Sequence, residues 1–144
     1  MAQRLDKVQK FTPQHNTARE LFFHTPIFFR DIKDSKKLNK HLLKHIFNWK
    51  KRDEKGIKRS NSLGWHSAVD MHHRKEYHTL LRHLFDMQEE IYKAEGYHPD
   101  TEPFCDNMWA NVNYKYSHNK NHVHPGAQWS GVYYIKVPEN SGHL

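Results

Sequence analysis

The 144 residues leave room for one domain, and 13% aromatics within a 36% hydrophobic share lift the chain above the disordered class despite a mean hydropathy of −1.02. A net charge of +7 favours anionic partners, nucleic acid among them, while apolar runs of only a few residues, such as Leu21–Phe23 and Ile27–Phe29, exclude a helical membrane protein, which needs about 20 apolar residues in a row. The single Cys105 excludes an internal disulfide framework and a Cys-based zinc ribbon, and with a polar start, Met1–Lys10, that lacks an apolar signal region it reads as a cytoplasmic protein.

Residues 1–19 are polar and read as a flexible tail ahead of a single domain over 20–144. Glu20–Asp31, ELFFHTPIFFRD, predicts an extended segment broken at Pro26. Asp34 or Ser35 is placed to cap a helix whose Leu38, Leu42, Leu43, Ile46 and Phe47 recur at three- and four-residue spacing. Basic residues cluster in Lys36–Lys44 and again in Lys50–Arg59, the second cluster running into a polar loop over Arg52–Leu63. A second helix is predicted from about Arg74 to Ala94 on the stripe Tyr77, Leu80, Leu81, Leu84, Phe85, Ile91 and Tyr92, with Gly96 as its stop and Pro99 and Pro103 forbidding continuation.

From Asn107 the period changes to two. Trp109, Asn111 and Asn113 alternate with Ala110, Val112, Tyr114 and Tyr116, which predicts a strand. Ser117–Asn121 reads as a polar loop, and His122–His124 as a short extended piece ended by Pro125-Gly126. Trp129–Val137, WSGVYYIKV, is β-branched and aromatic and predicts another strand. Pro138–Gly142 reads as a turn, and His143-Leu144 as the first step of a further strand.

Fourteen histidines raise the question of ligand spacing. His122 and His124 are two apart on an extended piece, so their imidazoles share a face and can reach one ion. Iron and zinc both accept imidazole nitrogen at about 2.0–2.2 Å. So many histidines also generate pairs by chance, such as His41/His45 at helical spacing and His72-His73.

The stretch NMWANVNYKYSHNKNHVHPGAQWSGVYYIKVPENSG resembles the phage and bacterial branch of the 2-oxoglutarate- and Fe(II)-dependent oxygenases. The shared pattern is W-x-N-x-N (Trp109, Asn111, Asn113), then N-x-x-H-x-H-P (Asn119, His122, His124, Pro125), S-G-x-Y-Y (Ser130, Gly131, Tyr133, Tyr134) and a P-x-x-x-G turn (Pro138, Gly142). An F-x-T-P-I piece (Phe23, Thr25, Pro26, Ile27) and S-N-x-x-G-W-x-S (Ser60, Asn61, Gly64, Trp65, Ser67) extend the resemblance over residues 21–144.

That resemblance implies an α+β fold, a partial double-stranded β-helix (jelly-roll, cupin-like) with two main helices packed on the sheet. It implies Fe(II) and the co-substrates 2-oxoglutarate and O2, with decarboxylation to succinate coupled to hydroxylation of a substrate C–H bond. His122 falls on the first iron ligand, and His124 falls where the superfamily usually has Asp or Glu. Asn113, Tyr116 and Tyr134 fall where similar enzymes touch the co-substrate. A distal His and a basic residue for the far carboxylate of 2-oxoglutarate belong to the family's last strands. Nothing follows Leu144, so the expectation is a C-terminally incomplete domain with an edge after Val137 open to self-association. His118 and His143 are the alternatives for the third ligand. Two other readings stay open: a non-catalytic jelly-roll binding module, and a basic nucleic-acid-binding protein.

Overall fold

The computed structural model describes residues 25–141. The tail expected over 1–19, the start of the segment expected from Glu20, and His143-Leu144 lie outside them. The first helix, α1 (Ser35–Arg52), forms because Leu42, Ile46 and Trp49 fall on one side and are buried. Neither expected cap forms. Asp34 stands at the N-cap in a left-handed conformation (φ 53°) with no side-chain bond to the first turn. Lys50, Lys51 and Arg52 complement the helix dipole at the other end, where the Asp53 N–H closes on Trp49 O at 3.0 Å. Phe47, expected on the apolar face, is 49% exposed, because it lies about 100° round the helix from Ile46. Trp49 fills that role instead.

The second helix, α2 (His78–Ala94), begins later than the sequence predicts. Arg74 is extended (φ −93°, ψ 122°), so Met71–Tyr77 is two single 3-10 turns, Met71–His73 and Lys75–Tyr77, rather than a helical start. The end is as expected. Gly96 takes φ 74°, and the Tyr97 N–H reaches back to Tyr92 O at 2.9 Å, the closure that a left-handed residue after a helix permits.

Between and after the helices run four two-residue strands: β1 (Asn61–Ser62), β2 (Trp65–His66), β3 (Asn111–Val112) and β4 (His118–Asn119). β2 pairs antiparallel with β3, Trp65 opposite Val112 and His66 opposite Asn111. The ladder continues through Ser67 N–H to Ala110 O at 3.0 Å, and beyond it Met108 bonds both Val69 O and the Met71 N–H in a single parallel bridge with Asp70. β1 pairs with β4, Asn61 opposite Asn119 and Ser62 opposite His118. The two ladders are one interrupted ribbon. Two residues, Leu63 and Gly64, separate β1 from β2, but five, 113–117, separate β3 from β4. Ser117 stitches the surplus down: its hydroxyl donates to Leu63 O and accepts the Tyr114 N–H, both at 2.9 Å. The strand predicted over Asn107–Tyr116 is therefore cut short after Val112, where Leu63 (φ 59°) and Gly64 turn its partner away.

The core is where helix meets ribbon. Trp49 meets the Trp65 ring edge-on at 6.1 Å and lies 6.1 Å from the Tyr77 ring. The Arg74 guanidinium sits 3.6 Å over the Trp49 ring and is held there by Asp70 at 3.0 Å. The Trp65 indole N–H donates to Asp53 O at 2.7 Å, tying the ribbon to the end of α1. Leu42, Ile46, Met71, Leu80 and Ala110 complete this core. Residues 25–32 cross the helices without a ladder, and Arg30 pairs with Glu90 of α2.

The strand predicted over Trp129–Val137 does not form. Its two-residue period is present over Val132–Lys136, where Tyr133 and Ile135 pack on the core while Val132, Tyr134 and Lys136 are exposed, and it ends at the exposed Val137. The Tyr133 hydroxyl donates to Asn39 Oδ1 on α1 at 2.6 Å. The segment lacks a backbone partner among the described residues, and a strand is defined by its partner. The described residues are thus α+β, two helices against short antiparallel ladders, and no closed barrel is formed among them. No helix among them is long and apolar enough to cross a membrane.

Trp49→Ala removes the residue that joins α1 to the ribbon. It is expected to lower unfolding free energy by about 3–5 kcal/mol in urea denaturation, and a loss under 1 kcal/mol would show that the core does not centre there. Gly56→Ala is expected to destabilise as well. Gly56 has φ 55°, and a Cβ there would stand 2.5 Å from His66 O and 2.8 Å from the Trp65 ring.

Candidate metal centre

The ribbon has two faces. Trp65, Ser67, Ala110 and Val112 turn toward the helices; register then puts His66, Trp109, Asn111 and Asn113 on the opposite face. The helix-facing polar group is satisfied: Ser67, fully buried, accepts the Ala110 N–H at 3.0 Å and donates to Ala68 O at 2.7 Å.

On the opposite face three aromatic rings form a column. His66 stacks on Trp109 at 5.4 Å and 11°, and Trp109 stacks on His124 at 5.6 Å and 29°. His122 then meets His124 edge-on, ring centres 4.9 Å apart at 74°. The column joins three separate stretches of sequence, and the β2–β3 register is what brings two of them together.

The His122–His124 pair is the part suited to hold an ion. His122 Nδ1 lies 2.8 Å from Lys120 O. A carbonyl only accepts, so Nδ1 carries the proton and Nε2 presents its lone pair, the orientation seen in metal-ligating imidazoles. His124 is fixed from two sides: its ring by Trp109, and its backbone by a turn. The Ala127 N–H returns to His124 O at 3.1 Å across Pro125 and Gly126 (φ 79°), with Pro and Gly where a type II turn wants them. The pair does not lie on a strand, as the sequence predicts, but in a loop shaped by that turn. A ring bound through one nitrogen at about 2.1 Å has its centre roughly 3.2 Å from the ion, so two ligands at right angles have centres roughly 4.6 Å apart. The observed separation of the ring centres, 4.9 Å, is close to that value.

The remaining expected groups are spread out. No three His, Cys, Asp or Glu residues among the described residues are arranged to hold a metal ion, so His118 does not join the pair. It sits in β4 opposite Ser62, and His143 lies outside the described residues. The Asn113 side chain packs against Gly64, where its Oδ1 leaves no room for a Cβ. Tyr116 is 75% exposed at a left-handed turn (φ 70°), and Tyr134 is 50% exposed on the side of its segment away from α1. A cleft of about 420 Å³ lies beside Asn113's neighbour Gly64, lined by Lys55, Lys58, Asn61, Ser62, Leu63 and Gly64. Neither histidine of the pair lines it.

His66 was not singled out by sequence. It is 4% exposed, and burial, the largest cause, lowers its pKa below 6.5 although its bond to Ser67 O at 2.6 Å opposes the shift. Its only sequence signal is its place between Trp65 and Ser67, in register with the W-x-N-x-N stretch.

Residues 107–144 match a family model described as "Putative 2OG-Fe(II) oxygenase". No curated protein and no solved structure shows a significant match. The matched segment, about a quarter of the chain, holds the His pair, Trp109 and the three expected co-substrate residues. The S-N-x-x-G-W-x-S stretch lies outside the match, yet it is hydrogen-bonded to the matched segment through β2 and β3.

Because the folded pKa of His66 is below 6.5, only the unfolded chain takes up this proton first as pH falls. Stability is expected to be level above pH 6.5 and to decline as pH falls below it toward the folded pKa. His66→Phe keeps a ring on Trp109 but cannot titrate. Its melting temperature measured between pH 7.5 and 5 should fall less than that of the parent chain, and an equal fall would exclude His66 as a source of the acid sensitivity.

Proposed function

We propose that the chain is a 2-oxoglutarate- and Fe(II)-dependent oxygenase of the phage and bacterial type, with His122 and His124 as two of its iron ligands. The observation that carries this reading is the His122–His124 pair itself: ring centres at cis-ligand spacing, a free Nε2 on His122, and a place inside the segment that matches the oxygenase family. Bound Fe(II) supplies the O2 activation that couples decarboxylation of 2-oxoglutarate to oxidation of a C–H bond.

The chain's own residues have defined tasks in this reading. Lys120 O holds the His122 tautomer, and the Pro125-Gly126 turn sets the direction of His124. Trp109 limits rotation of the His124 ring and shields one face of it from water. Asn113, Tyr116 and Tyr134 are the groups assigned to 2-oxoglutarate, an amide and two phenols able to donate hydrogen bonds to its oxygens. The fold assigned is a double-stranded β-helix in which the ribbon supplies strands, the Trp129–Val137 segment, unpaired among the described residues, has the place of a further one, α1 and α2 cover one face, and the His pair belongs to the other. The burial period of Val132–Lys136 supports it, since Tyr133 and Ile135 already face the helix layer.

Anaerobic titration of the 144-residue chain should show one Fe(II) bound per chain, and addition of 2-oxoglutarate and O2 should release succinate. His122→Ala and His124→Ala should each abolish both. Trp109→Ala, which leaves both ligands but frees one ring, should weaken metal binding by about 10- to 100-fold, the usual cost of losing an orienting partner. Equal metal uptake by the parent and a His122→Ala/His124→Ala double variant would end the proposal.

A further inference from the structure

The net charge of the protein is concentrated on one element. α1 carries seven Lys and Arg residues and no Asp or Glu, whereas α2 mixes Arg82 and Lys93 with Asp86, Glu89 and Glu90. At 100° per residue, Lys36, Lys37, Lys40, Lys44 and Lys51 fall within an arc of about 100°, directly opposite the buried side of Leu42, Ile46 and Trp49. All five are exposed. Lys36, Lys40, Lys44 and Lys51 follow one another at four- and seven-residue steps, a row about 22 Å long. Phe47, the apolar residue that the core leaves out, stands in that row between Lys44 and Lys51 with 49% of its surface exposed.

Nothing within the described residues neutralises the row. None of the ion pairs among them involves an α1 lysine; they are Arg30–Glu90, Arg74–Asp70 and His98–Asp100. Of the acids near α1, Asp34 and Asp53 stand at its two ends, and Glu76 lies by His45 and Arg52 on the flank. Like charges at four-residue spacing destabilise a helix, so Lys36/Lys40 and Lys40/Lys44 weaken α1 unless an anion lies along them.

We propose that the outward face of α1 is a docking surface for single-stranded nucleic acid. A linear row of ammonium groups, about 6 Å of rise between four-residue neighbours, follows a linear polyanion rather than a compact one. Phe47 gives a base a face to stack on within the same row, which a duplex does not offer its bases for. An anionic membrane is a poorer match. A helix that lies on a membrane inserts its apolar face, and here that face is already buried against Trp65 and Tyr77. The surface stands on its own observations and does not depend on the iron chemistry.

The test is fluorescence anisotropy of a labelled mixed-sequence 20-nucleotide DNA strand with the 144-residue chain over a salt series. Four to five neutralised phosphates predict a slope of about −3 in log K against log salt. Replacing Lys36, Lys40, Lys44 and Lys51 by Gln should remove nearly all of that slope and weaken binding roughly tenfold or more at low salt. Replacing the equally exposed Lys93, Lys115, Lys120 and Lys136 by Gln makes the same change in net charge and should leave binding within about threefold of the parent, since contacts to phosphate are local. Phe47→Ala should weaken single-strand binding while leaving the salt slope unchanged. Circular dichroism checks that each variant keeps its helices. Equal losses in the two lysine sets, duplex bound as tightly as single strand, or tighter binding to phosphatidylserine vesicles than to DNA would each overturn the proposal.

Discussion

The contact between Trp49 and Trp65 is what the rest of the structure depends on. Trp49 is the last buried residue of α1, and Trp65 begins the ladder that carries the face with the candidate centre. Their edge-to-face packing, the Arg74 guanidinium over one ring and the indole bond to Asp53 O fix the ribbon against the helix in a single orientation. Once Trp65 faces the helix, the pleat turns His66 away from it, and pairing with β3 turns Trp109 and Asn111 the same way. The chemistry of the far face is therefore a consequence of where one tryptophan is buried.

Much of this was legible because it is periodic. The Leu42/Ile46 pair of α1, the Leu80/Tyr92 pair of α2 and the stop at Gly96 are properties of neighbouring residues, and they form as read. What the sequence leaves open is what depends on a partner. Val132–Lys136 keeps the alternation of a strand but has no ladder, because alternation specifies faces and not neighbours. The 3-10 turns before α2 were hidden because Met71 and Tyr77 suit either geometry. Phe47 misled because an apolar residue at helical spacing can as well lie at the border of the stripe.

The site divides along the same line. His122 and His124 are two apart in sequence, so their pairing is readable, and the Pro-Gly dipeptide after them announces the turn that aims the second ring. His66 was not readable as part of that surface, since its relation to Trp109 exists only through an antiparallel register across more than forty intervening residues. The resemblance assigns Asn113 to the co-substrate, and its side chain against Gly64 adds a packing reason for that glycine which spacing alone does not reveal.

The column of rings has an optical consequence. Of the four tryptophans, Trp109 is the one held between two imidazoles. Indole emission is sensitive to what its neighbours do with charge and with unpaired electrons. An ion taken up at His124 would rest one ring away from Trp109, while Trp49 and Trp65 stay enclosed in the core. The protein thus carries a native fluorophore beside its candidate centre and two reference fluorophores away from it.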